Sequence, residues 1–226
     1  MRKWGILISA FYALILLALI VPGAIFIAVR DYSSWRNFLG TVHEAYGEWV
    51  LWLLIAAVLV SQALLLFVSI DTSENRLKPR AHILVSCVAA AILTALLTSG
   101  IVWSLGFAIR GDNFWKSFFN EEANLLLFWG ALWLFWGIFF YLYFRDSSKS
   151  ITRLSSWLLK GSILELLIVV PCHVIVRRRH DCSAPMVTSF GIATGLAIML
   201  LSFGPSVLFL YKKRLDEYSS RGSTTR

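Results

Sequence analysis

The sequence predicts an all-α integral membrane protein of six transmembrane helices arranged as three helical hairpins, and three observations predict it. The 226 residues are 58% hydrophobic and 15% charged, with a mean hydropathy of +0.71, whereas a soluble domain carries about 25% charged residues. The apolar residues gather into six long runs, and a run of about 20 residues is what a helix needs to cross a hydrocarbon core about 30 Å thick. Finally, Lys and Arg alternate between segments. Of the 21 basic residues, 14 lie before the first run or after the second, fourth and sixth, and 7 lie on the other side. Cytoplasmic loops retain Lys and Arg, so both termini are expected in the cytoplasm, with a bacterial inner membrane as the expected location. The net charge of +8 then reflects topology and attraction to anionic lipid headgroups. It does not point to nucleic acid, because no basic and aromatic binding domain lies outside the runs.

The first run, 5–29, follows Arg2 and Lys3 and continues beyond the small residues of "VPGA", so it reads as an uncleaved span and not as a signal peptide. After it, "SSWRNFLGTVHEAYGEW" fits a short interfacial helix. Runs two and three cover 49–70 and 83–109, and Ala91, Ala95 and Ser99 give the third a small-residue face that lets a neighbour approach. Run four, 125–144, sets Trp129, Trp133 and Trp136 in one aromatic stripe at i, i+4 and i+7. Packing against lipid or another subunit is the plain reading of that stripe; a planar lipid-soluble ligand such as a quinone is the sharper one. Run six, 186–211, carries Gly191 and Gly195 four residues apart, and "FGP" at 203–205 frees the carbonyl of Leu201 and permits a bend. Residues 1–212 are expected to form a single transmembrane domain, followed by a polar, disordered tail at 213–226.

An internal repeat supports the hairpin arrangement. Arg30, Trp35, Arg36 and Phe38 recur in spacing as Arg110, Trp115, Lys116 and Phe118, each set beyond an odd-numbered run. Interfacial loops favour Trp, Arg and Phe in any case, because their amphipathic bodies suit the headgroup level, so the repeat has an ordinary alternative explanation.

The fifth run is the unusual one. Only sixteen residues separate Lys160 from Arg177, about 24 Å of helix, so this span either thins the bilayer, begins earlier near Leu154 with Lys160 snorkelling, or is re-entrant. It contains Glu165, the one clear intramembrane carboxylate, a residue type that nearly always faces a protein interior or a wet cavity. Cys172 falls on the same helical face two turns later, and His173 is offset by roughly 80°. Pro171 should open the helix just before them. Arg177, Arg178, Arg179, His180 and Cys182 then crowd the outer mouth. The arginines suit either a lipid-headgroup anchor or a clamp for phosphate or carboxylate. Cys172 and Cys182 are close enough in sequence for a disulfide in an oxidising compartment, although three unpaired thiols, Cys87 included, is the simpler expectation. Metal binding by Cys172, His173, His180 and Cys182 is disfavoured, because the spacing is unfamiliar and three arginines between the pairs repel a cation.

Enzyme templates are missing: the chain has no GxSxG, HExxH, P-loop or glycine-rich dinucleotide turn, and the question of a cofactor stays open. The leading expectation is transport-like or channel-like handling of a small anionic or lipid-soluble solute by the fifth span and its outer mouth. A non-catalytic subunit or assembly factor of a larger membrane complex is the alternative. Third comes an intramembrane enzyme acting on a lipid, with Glu165, His173 and His180 as its acid and base groups.

Overall fold

The computed structural model describes residues 35–47, 49–74, 80–111, 113–114, 122–144, 150–179 and 184–200, with isolated residues outside these stretches. Its elements are helical throughout: α1 (Trp35–Gly47), α2 (Trp49–Glu74), α3 (Arg80–Arg110), α4 (Glu122–Phe144) and α5 (Ser150–Arg179), and then α6 (Ala184–Leu200). Among the described residues three segments are long and apolar enough to cross a membrane: Ile83–Arg110, Asn124–Phe144 and Arg153–Arg179. Leu51–Leu65 and Ala184–Leu200 are shorter apolar stretches. Most of the first run, the bend at 203–205, the tail, and several residues of the apparent repeat, among them Arg30 and Trp115, lie outside the described residues.

α3 is the centre of the bundle. It packs against α2, α4 and α5, and 61% of its apolar core window is buried, against 33% for α5 and 6% for α4. Composition explains the order. α3 is rich in Ala, Ser, Thr and Gly, and small side chains let several helices approach one axis at once. Lipid solvates large apolar chains as well as protein does, so bulk alone draws nothing inward. Directions follow from the contacts. Trp136 Nε1 donates to Thr98 Oγ1 at 2.9 Å and Trp129 stacks on Trp103 with ring centroids 5.7 Å apart, so α4 runs antiparallel to α3. Glu165 meets Gly100 and Arg179 meets Ala108, so α5 runs parallel to α3. α6 returns antiparallel along α5, pairing His173 with Thr188 and Glu165 with Gly195.

α3 stops at Arg110 because Gly111 adopts a left-handed φ of 61°. Its N–H bonds back to the Phe107 carbonyl at 2.9 Å, an αL cap that a Cβ would strain. The chain then turns so that Phe114 meets Phe107 edge-on. The ring of Phe114 fills the space beside Gly106 that a Cβ would otherwise take.

The fifth run takes the earlier of its expected starts. The helix is one continuous element of 30 residues, beginning four residues before Leu154, with Leu154 and Leu158 buried and Lys160 exposed. The charge at Lys160 interrupts the hydropathy of the run but not the helix, since the residue is exposed and a lysine there can snorkel. A 27-residue apolar segment, Arg153–Arg179, has the length to cross and leaves no need for re-entry. Nor does Pro171 break the helix. Its ring is on the exposed side, and the buried seam continues past it to Val176.

Candidate functional site at Glu165

The buried seam of α5 reads Leu158, Ser162, Glu165, Val169, Cys172, Val176, every one of them buried. The alternating four- and three-residue spacing is the pattern that keeps one edge of a helix against its neighbours. Ser162, Glu165 and Cys172 therefore occupy positions at which apolar packing is the norm. Cys172 sits among Phe107, Ala108, Phe114, Val176 and Ala184 and carries a free thiol. Cys182 and His180 lie outside the described residues, and with Cys182 the possible disulfide.

Glu165 is fully buried, and neither carboxylate oxygen has a hydrogen-bond partner. Two glycines make its seat. A Cβ on Gly100 of α3 would collide with Oε1, and one on Gly195 of α6 would lie 2.7 Å from Oε2. The carboxylate thus occupies the space left by two missing side chains. Gly195 belongs to the small-residue face visible in the sequence; Gly100 does not, since the face Ala91, Ala95, Ser99 turns in part toward α4, where Ala91 meets Gly137. A glycine in mid-helix costs about 1 kcal/mol relative to alanine, and that cost is the signal by which Gly100 could have been found.

His173 is also buried. Its Nδ1 lies 2.7 Å from Thr188 Oγ1, and that hydroxyl is within bonding distance of the Ala184 carbonyl at 3.0 Å and the Pro185 carbonyl at 3.1 Å. When Thr188 gives its single proton to these carbonyls, Nδ1 must carry the hydrogen of the pair, which fixes the imidazole tautomer.

Beyond the Gly100 wall lies a cavity of about 280 Å³ between α2, α3, α4 and α6, lined by Leu54, Leu96, Gly100, Trp103, Trp129 and Phe190 among others. Its surface is almost wholly hydrocarbon. Gly191 also lines it and crosses Gly100 closely: a Cβ on Gly100 would be 3.7 Å from the Gly191 Cα. Gly100 therefore borders both the cavity and the carboxylate.

The aromatic stripe divides. Trp129 lines the cavity and Trp136 is tied to α3 by Thr98, while Trp133 is 40% exposed. The arginines also divide. Arg179 Nη1 donates to the Ala108 carbonyl at 2.6 Å, one of the carbonyls that the end of α3 leaves without an intrahelical donor, while Arg178 is exposed and Arg177 half-buried. Arg179 is therefore engaged in joining two helix ends. No protein family, curated protein or solved structure matches this chain.

Proposed function

We propose that this chain is a multi-pass membrane protein of six spans with both termini cytoplasmic, and that it handles a small lipid-soluble solute, taken up in the cavity beside Glu165, in a transport-like role. One observation carries this reading: an apolar cavity of about 280 Å³ shares its Gly100 wall with a fully buried carboxylate that has no hydrogen-bond partner. A carboxylate is costly to bury in a membrane and contributes nothing to packing that an apolar side chain would not, so its retention there is best explained by use. The hydrocarbon lining favours a lipid-soluble solute over an anionic one, as does the engagement of Arg179 with a helix end. The subunit alternative rests on α4, whose outward face of Leu134, Phe135, Ile138 and Leu142 is exposed and suits lipid or a partner helix equally.

The cavity reading is tested by melting the purified protein in nanodiscs with the neutral apolar probe N-phenyl-1-naphthylamine. The wild type should melt higher with probe, and Val187→Trp, which fills the cavity, should not respond. Equal responses would remove the cavity from consideration. For topology, reporters fused at Ser148 and Ser219 should read cytoplasmic and one at Asn113 should not.

A further inference from the structure

We infer that the solute class this cavity takes is a lipophilic cation, bound in exchange for a proton on Glu165; the inference rests on the cavity reading above. The argument begins with charge. Glu165 lies against α3 and α6, and α6 carries no ionisable residue at all. α3 carries Arg80 and Arg110 at its two ends, His82 near the first, and otherwise only Cys87, three to four turns before Gly100. On α5 itself Cys172 and His173 are two turns onward, Arg177, Arg178 and Arg179 are at the helix end, Arg153 is exposed about three turns before, and Lys160 is exposed on the far side. Among the described residues the protein thus supplies no positive group facing this carboxylate. An ionised carboxylate without a counter-charge is the most expensive occupant of such a place, so the charge that neutralises it is one that the described helices do not supply.

Two such charges exist. One is a proton, which makes the neutral acid that fits the closed seat between Gly100 and Gly195. The other is a cation in the neighbouring cavity, whose wall includes the stacked indoles of Trp103 and Trp129 and whose hydrocarbon surface selects an organic cation over a hydrated metal ion. Indole rings attract cations, the more strongly when desolvated. Gly100 borders both positions and crosses Gly191 closely, so a small separation of α3 from α6 brings carboxylate and cation together. The exchange balances: the Glu165 O–H bond breaks, its proton leaves to solvent, and one monovalent cation takes its place as counter-charge, with no net change in the charge of the site.

The test uses tetraphenylphosphonium as probe, with tetraphenylborate as an anion of the same shape, titrated calorimetrically into nanodisc-embedded protein in buffers of different ionisation enthalpy. Tetraphenylphosphonium should bind the wild type with release of about one proton, more tightly as pH rises. Tetraphenylborate should not bind. Glu165→Gln should still bind the neutral N-phenyl-1-naphthylamine, which shows that it is folded, yet bind tetraphenylphosphonium about tenfold more weakly or worse, without proton release. Val187→Trp corrects for partition into the bilayer. If the wild type binds the neutral probe but not the cation, binds the anion equally, or binds the cation without releasing a proton, the cation inference is overturned and the cavity reading stands. If neither the neutral probe nor the cation binds, both readings fail.

Discussion

α4 and α5 are neighbours in sequence and both are long enough to cross a bilayer, but the structure uses them in opposite ways. α4 is almost entirely large and apolar, and only 6% of its core window is buried. α5 carries a proline, a lysine, a glutamate and four arginines, yet it supplies the buried seam that meets both α3 and α6. In water the more hydrophobic helix would be the more buried. In lipid that ordering has no force, because acyl chains receive Leu and Phe as readily as a protein core does, and what a helix gains from being inside is close packing and the shelter of its polar groups.

The sharpest way to break this comparison is to fill the seat of Glu165. Gly100→Ala places a Cβ where Oε1 now lies and should destabilise by about 2 kcal/mol or more, the cost of overpacking a close-packed site. Combined with Glu165→Ala, the penalty should fall by a similar amount, and unfolding in a thermodynamic cycle measures the coupling. Additive penalties would mean that the two positions are not in contact.

Next in size is the arginine pair at the end of α5. Arg179→Ala removes the donor to the Ala108 carbonyl and should cost about 1 kcal/mol, since the group is partly exposed. Arg178→Ala should cost less than half as much, and thermal unfolding in detergent compares the two. A smaller effect is expected at the α3–α4 contact. Trp136→Phe keeps the ring and loses the bond to Thr98, worth about 0.6 kcal/mol by the average for hydrogen bonds between membrane helices. The smallest belongs to the outer face of α4. Leu134→Ala, at a side chain 61% exposed, should change stability by less than about 0.5 kcal/mol in detergent or bilayer. A large loss there would instead reveal a partner helix on that face. The thiols can be counted on denatured, unreduced protein: three reactive thiols exclude the Cys172–Cys182 bridge, and one supports it.

Helical class, the membrane as solvent and the singularity of Glu165 are all legible in the sequence, because run length, charge placement and the cost of an intramembrane carboxylate are properties of single segments. So is the shared face of Glu165 and Cys172, which follows from helical period alone. Three other matters are decided by tertiary structure. The sequence leaves the start of the fifth run open between Lys160 and a point near Leu154, and the earlier start holds in a helix that begins at Ser150 with Leu154 and Leu158 buried. The tryptophans look equivalent at their spacing, yet only contact with α3 separates Trp129 and Trp136 from the exposed Trp133. Gly100 and Gly195 are 95 positions apart in the chain, and neither announces a carboxylate. They become the two walls of one seat only when α3 and α6 close on α5 from different sides, because helices in lipid approach most closely where side chains are missing, and the chain order of those gaps carries no record of what fills them.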